Sequence, residues 1–126
     1  KGRRVTTIAD WTWNPSAGVY ERSTDGVPHV DAIDNSRVTA KNLIVQFADY
    51  VDTGQRDTSG EPVPEAKLVG EGEAWIFSDG KLVKGRWSKS SMEAVTVFTD
   101  SAGKKVRLAP GRTWVEIPPP GTSTLR

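Results

Sequence analysis

The chain has no cysteine, which removes thiol nucleophiles, disulfides, Cys-bound zinc and iron–sulfur clusters in one step. It has a single histidine, His29, so a Ser-His-Asp arrangement has one candidate base and a metal site with two His ligands is excluded. Neither sign of charge prevails. Seventeen Lys and Arg face 16 Asp and Glu, and the resulting net +1 provides no field that would gather nucleic acid or an anionic membrane. No apolar run approaches the roughly 18 residues that cross a bilayer as a helix, and no signal peptide or lipidation motif is present. The opening Lys1-Gly2-Arg3-Arg4 lacks an initiator Met and reads as the start of an excised domain or mature fragment. Apolar residues at helical spacing with caps are also missing, which argues against a helical bundle or an alternating α/β fold.

What is present reads as β-structure. A length of 126 residues suits one domain with one core. Five Trp, three Phe and two Tyr supply the bulk that an apolar share of 36% otherwise lacks. Arg4-Val5-Thr6-Thr7-Ile8 with Trp11-Thr12-Trp13 forms one strand-like run, broken at Asn14-Pro15-Ser16-Ala17-Gly18. Val19 to Ser23 returns as the second arm of a hairpin, with Tyr20 and Arg22 on one face. Asp25-Gly26 then turns the chain into a short edge segment over Val27 to Asp31, where Pro28 is tolerated. The polar stretch from Asp31 to Lys41 has room for one helical turn.

Asn42 to Tyr50 is the most apolar segment and reads as a central strand covered on both faces. Asp52 to Glu65 is a long loop or a protruding hairpin. Ala66 to Phe77 and Lys81 to Ser88 flank Ser78-Asp79-Gly80, the clearest hairpin signal in the chain. Gly70, Gly72 and Gly85 within those arms mark bulges, bends or close backbone packing. Val95 to Thr99 and Lys104 to Leu108 make another hairpin around Asp100-Ser101-Ala102-Gly103, and Thr113 to Ile117 is the last strand before Pro118-Pro119-Pro120. The fold expected is mainly β: a largely antiparallel, hairpin-rich sheet or sandwich of about eight strands, with α+β containing one short helix as the alternative. Residues 1–120 form a single β-rich domain and residues 121–126 a frayed tail.

Chemistry-bearing residues are scattered. Asp31 lies two positions from His29, on the same strand face, without orienting its ring by that spacing alone. Asp31 with Asp34, or Glu71 with Glu73, has the composition of an acid–base pair, but Glu71 and Glu73 read as the solvent face of a hairpin arm. Asp49, Asp52, Asp57 and Glu61 are oxygen donors suited to a hard cation, yet their spacing is not that of an EF-hand. Gly70-Glu71-Gly72 lacks the third Gly and the following helix of a phosphate loop. Trp13, Trp75, Trp87 and Trp114 sit in strand-like runs where core packing outweighs a sugar-stacking platform. Lys1, Arg3 and Arg4, like Lys104 and Lys105, read as solvated basic clusters. The residues call for no metal and no cofactor.

Several blocks, in order along nearly the whole chain, carry a resemblance. They are Trp11-Thr12-Trp13 with Tyr20-Glu21-Arg22, Gly26 to Asp31, Ala40 to Gln46, Gly70 to Lys81, Gly85-Arg86-Trp87-Ser88-Lys89, and Leu108 to Val115. Together they resemble the C-terminal domain of the YerB-like bacterial lipoprotein family. The resemblance implies a protein lipid-anchored on, or secreted to, the outer face of a Gram-positive-type membrane, with this domain following a separate N-terminal domain. It brings no catalytic residues with it. Within the blocks, Asp31, Lys41, Asn42 and Gln46 are the polar residues least explained by strand or turn formation and are the candidate ligand-binding set. Asn42 and Gln46 are four apart and share a face of their strand, where buried amides need partners or a ligand. The alternative is that they cap the strand and stitch it to loops.

The function expected is that of a non-enzymatic, extracytoplasmic cell-envelope domain binding a protein partner or cell-wall glycan, with the N-terminal domain of the same protein as a further partner. Membrane contact would run only through a lipid anchor elsewhere in the protein, and nucleic acid is not a partner. One alternative is a carboxylate-dependent envelope glycan hydrolase using groups such as Asp31. Another is a structural domain that completes its N-terminal neighbour.

Overall fold

The computed structural model describes residues 4–126, so Lys1 and Arg3 of the N-terminal basic cluster lie outside the described residues. Among the described residues there are thirteen strands and no helix. The first sheet holds β1 (Arg4–Thr6), β2 (Asp10–Asn14), β3 (Val19–Thr24), β4 (Val27–Pro28), β5 (Thr39–Ala40) and β13 (Thr124–Leu125). Its order is β13-β1-β2-β3-β4, with β5 also paired to β3. The second holds β6 (Asn42–Gln46), β9 (Gly70–Ser78), β10 (Lys81–Lys89), β11 (Val97–Thr99) and β12 (Thr113–Glu116), in the order β11-β10-β9-β6-β12. A separate hairpin of β7 (Tyr50–Arg56) and β8 (Pro62–Ala66) protrudes between β6 and β9.

The two larger sheets meet face to face. Val5, Trp11 and Tyr20 of the first pack with Leu43, Val45 and Phe77 of the second, all buried, because strand alternation turns those side chains to one face of each sheet. The opposite face of the second sheet carries another cluster, in which Ile44, Ile76 and Trp87 are covered by Ala66, Val106 and Ile117. All five residues of β6 are therefore buried, and the strand is covered on both sides as its continuous apolar pattern predicts.

The fold is mainly β and mostly antiparallel, with one parallel pair, β12 on β6. The helical turn anticipated between Asp31 and Lys41 is a set of turns instead. Asp31 Oδ1 accepts the Ile33 N–H at 2.7 Å and Asp34 Oδ1 accepts the Ser36 N–H at 2.9 Å. Such Asx contacts compete directly with helical hydrogen bonding. The single run expected from Arg4 to Trp13 is folded back on itself as β1 and β2. Its bend at Thr7 to Ala9 contains neither Gly nor Pro, and Asp10 fastens it by accepting from the Thr6 hydroxyl at 2.8 Å and the Arg4 guanidinium at 2.9 Å.

The tail 121–126, expected to fray, returns to the sheet. Leu125 packs on the core between the sheets, and Arg126 and Arg4 exchange backbone hydrogen bonds of 2.7 and 3.1 Å. Of the hairpin anticipated from Val95 to Leu108, only the tip is paired, and its second arm leaves the ladder after Val106. The glycines in the β9–β10 hairpin answer to close packing. A Cβ on Gly72 would lie 2.6 Å from Trp87 Nε1 and 2.9 Å from the Phe47 carbonyl oxygen, and one on Gly85 would overlap the Thr99 carbonyl.

Asp79 and Gly80, with φ of 53° and 76°, form the tight turn that joins β9 to β10. The tip docks on the first sheet, where the Gly80 N–H donates to the Tyr20 hydroxyl at 3.0 Å beneath the Trp13 ring. Burial pushes the Tyr20 phenol up to about 12, and the nearby Asp79 charge adds to it against the pull of the Gly80 N–H. Below the ordinary value of 10.0 the phenol is neutral in both folded and unfolded chains. Above it the unfolded chain releases a proton that the folded one keeps, so stability falls as the pH rises toward about 12. Urea midpoints at about pH 9 and about pH 11 are expected to drop more steeply in the wild type than in Tyr20→Phe. Equal drops would place the alkaline sensitivity in another group.

Candidate functional site

The chain changes sheets at Lys41, between β5 and β6, and the candidate residues Lys41 and Asn42 are adjacent at this corner. Asn42 is fully buried. Its Nδ2 donates to the Ala109 carbonyl at 2.8 Å and to the Thr113 hydroxyl at 3.2 Å. Its Oδ1 accepts from the Ser78 hydroxyl at 2.6 Å and from the Ala109 N–H at 3.0 Å. The amide has two donors and two acceptor lone pairs, and all of them are occupied by the protein. The Lys41 and Asn42 N–H groups both donate to the Arg112 carbonyl, at 2.9 and 3.1 Å. The Lys41 stem lies where a Cβ on Gly111 would be, and its ammonium donates to the Gly18 carbonyl at 3.3 Å. This corner thus binds the segment leading into β12 and stitches strand to loop.

The other two candidates lie apart from it. Gln46 is buried at the far end of β6, opposite Ala74, on the same strand face as Asn42. Asp31 is exposed in its own turn, where its backbone accepts from Asn35 and donates to Ser36 while its carboxylate accepts from Ile33. No convergence of all four side chains results.

A second polar cluster was not singled out by the sequence. Glu116 of β12 is buried, and its Oε2 accepts from Trp11 Nε1 at 2.9 Å and from Arg22 Nε at 3.1 Å. Arg22 also meets His29 Nδ1 through Nη1 at 2.8 Å. Its guanidinium carbon stands 5.2 Å from the centre of the Trp114 ring and 6.0 Å from that of Trp11, and the His29 ring meets Trp114 edge-on. An ion pair, an imidazole and two indoles from both sheets thus occupy one partly buried site. The signal existed in the alternation. Arg22 shares a face with Tyr20, and Glu116 shares one with Trp114, so each charge was directed inward with the aromatic rings and required a partner.

Several other carboxylates hold turns and surface pairs. Burial pushes Asp10 up, but the Thr6 hydroxyl and the Arg4 guanidinium outweigh it and hold its carboxyl below the ordinary range. The Ser36 backbone and hydroxyl hold Asp34 low, and the Ser59 hydroxyl with the Glu61 N–H does the same to Asp57. Glu71 pairs with Arg86 at 3.0 Å on the surface, and Glu73 accepts from Trp75 Nε1 at 3.2 Å. Asp52 faces Arg56 at 3.1 Å. Among the described residues no three His, Asp or Glu side chains gather as metal ligands. No helix there is long and apolar enough to cross a membrane.

A family model described as the C-terminal domain of a protein of unknown function, DUF3048, matches residues 3–115. YerB of Bacillus subtilis (strain 168), named as a candidate lipoprotein, is 27% identical over 118 residues, which is 91% of this chain and 32% of YerB. The chain therefore spans about a third of that relative's length. A crystal structure of the YerB protein from Bacillus subtilis is matched over 100% of this chain and 44% of that one, with a TM-score of 0.82 and 20% identity, a likeness of fold.

Two stability predictions follow from the polar clusters. Asn42→Ala leaves Ala109 and the Ser78 hydroxyl short of partners in the interior and is expected to cost about 3 kcal/mol in urea unfolding. A loss under about 1 kcal/mol would mean that water replaces the amide. Glu116→Gln keeps an acceptor for Trp11 but leaves the Arg22 charge unneutralised, also at a cost of about 3 kcal/mol. Arg22→Met combined with Glu116→Leu should recover part of it, because the pair leaves no lone buried charge. No recovery would mean that the Trp11 N–H, left without an acceptor in the double variant, costs as much as the lone charge.

Proposed function

The chain belongs to the family described as the C-terminal domain of DUF3048, a protein of unknown function, and from that membership we propose that it is a non-enzymatic cell-envelope domain that binds a protein partner. In this reading it lies outside the cytoplasm, on a longer protein held to the outer face of the membrane by a lipid. The name of the Bacillus subtilis relative supports that placement.

One observation carries the non-enzymatic part: the buried polar side chains Asn42 and Glu116 spend their hydrogen bonds on the fold. A hydrolase working through paired carboxylates needs one acid raised to hold its proton near neutral pH. The carboxylates with displaced ionisation, Asp10, Asp34 and Asp57, are all displaced downward, each by its own turn or ion pair. The half-buried His29 is engaged by Arg22 at Nδ1.

A protein is favoured over a glycan by where the aromatic rings lie. Sugar platforms present a ring face to solvent, but Trp11 and Trp87 are buried and Trp13, Trp75 and Trp114 are half-buried in packing or covered by side chains. Tyr50 is an exposed aromatic side chain, but its hydroxyl is tied to the Ile117 carbonyl at 2.6 Å, and most other exposed apolar side chains are aliphatic, such as Val95 and Leu108.

Cosedimentation with purified peptidoglycan, followed by an assay for released reducing sugar, tests both halves. The domain is expected to remain in the supernatant and to release none. Photocrosslinking on intact envelopes should give a saturable adduct with one envelope protein. Retention by peptidoglycan, or sugar release, overturns the proposal.

A further inference from the structure

The outer edge of β11 is covered by its own hairpin as far back as Phe98 and open before it. Asp100 N–H donates to the Lys104 carbonyl at 2.8 Å, and Val106 N–H donates to the Phe98 carbonyl at 3.0 Å. Between them Thr99 opposes Lys105. Beyond Val106 the arms diverge. The space between them is a groove of ≈ 220 Å³ lined by Val95, Val97, Phe98, Lys105, Val106 and Leu108. Val95 is 81% exposed and Leu108 40%, so the groove opens to solvent with an apolar wall.

Val95 and Val97 also line a second hollow of ≈ 370 Å³, whose other side is formed by Val69, Ser88 and Ser90. The two hollows therefore flank one stretch of edge backbone. Side chains of an extended chain alternate between opposite faces. A strand laid along residues 95–98 would hydrogen-bond to the edge groups that Val106 leaves free and send successive side chains toward the two hollows, which is how added strands obtain both affinity and selectivity.

Charge indicates the kind of strand. Lys104, Lys105 and Arg107 stand on the diverging arm, exposed, and among the described residues none of them is in an ion pair. Of the acidic neighbours, Asp100 has its Oδ1 occupied by the N–H groups of Ala102 and Lys104, and Glu71, which lines the second hollow, is paired with Arg86 at 3.0 Å. A second copy of the domain would bring three more cations to this edge, whereas an acidic segment would neutralise those present.

We propose that the β11 edge docks an extended segment of a partner protein in which apolar residues alternate with Asp or Glu, added to the second sheet as a further strand. This deepens the protein-binding reading above and rests on it.

Random decapeptides displayed on phage and selected on the domain at low salt test the proposal. The expected consensus alternates apolar and acidic residues. A synthetic peptide of that consensus, titrated into 15N-labelled domain, should shift the amides of residues 95–98 and 105–108. Its Kd should rise about tenfold or more in Val95→Asp and in Lys105→Glu, two exposed substitutions expected to leave the near-ultraviolet circular dichroism unchanged. Selection of no peptide, of basic peptides, or of peptides whose shifts map elsewhere overturns the proposal. Shifts of the same amides with protein concentration alone also overturn it, in favour of self-association. An envelope protein crosslinked equally by wild type and Val95→Asp would overturn this site and leave the protein-binding reading standing. Absence of any crosslinked protein would remove that reading itself.

Discussion

The Arg22–Glu116 pair is the contact on which the arrangement of the two sheets depends. A buried charge is costly alone, and its attraction to a partner offsets the loss of water only where the geometry is close and the remaining polar atoms are also satisfied. Here the carboxylate accepts from both Arg22 and Trp11, while the guanidinium spreads its charge toward His29 and over the Trp114 ring. Trp11 and Arg22 oppose each other across β2 and β3, whereas Trp114 and Glu116 are two apart on β12. The contact therefore joins one sheet to the edge strand of the other. An apolar contact would tolerate sliding. A paired charge with directed donors tolerates little, so it fixes where β12 sits.

β12 needs such fixing because of its topology. It pairs in parallel with β6, and parallel neighbours cannot be joined by a tight turn. The chain must travel from β11, at one edge of the second sheet, to β12 at the other. Asn42 holds the end of that crossing. By bonding both polar groups of Ala109 together with Ser78 and Thr113, it clamps the incoming segment to β6 and β9 at once. The Arg112 carbonyl, receiving the Lys41 and Asn42 N–H groups, completes the clamp. Lys41 and Asn42 thus act in the same assembly task as Gly111, whose missing side chain makes room for the lysine stem.

Much of this was legible in the sequence, and what was not has identifiable reasons. Asp79-Gly80 announced its hairpin because positive φ at both positions is a local demand that few residues meet. The apolar run beginning at Asn42 announced a doubly covered strand because its burial leaves no polar alternation. The bend between β1 and β2 was hidden because it is fastened by Asp10 reaching back to Arg4 and Thr6, a contact with no composition of its own. The return of the tail depends on Leu125 finding a core made by residues far earlier in the chain, from Val5 to Phe77. For the candidate residues, the sequence could mark Lys41 and Asn42 as unexplained by strand formation, but the partners that explain them lie near positions 109–113. Arg22 and Glu116 were visible on inward faces, and only the pairing of the sheets reveals that each answers the other.

The same commitments bear on function through what they leave uncommitted. In a fold this dependent on specific polar contacts, a ligand that engaged Asn42 or Glu116 would have to displace bonds that hold the sheets in place. Surface recognition is less constrained where backbone and side chains have no structural partner. Edge strands are hazardous for that reason, and proteins commonly blunt them with lysines, bulges or a covering segment. At β11 the covering segment reaches only as far as Val106 and then turns away, leaving valines on the edge and cations beside it. The cations discourage a like-charged copy without closing the ladder to an acidic strand. An edge protected against itself but open to a complementary chain separates aggregation from recognition by charge alone.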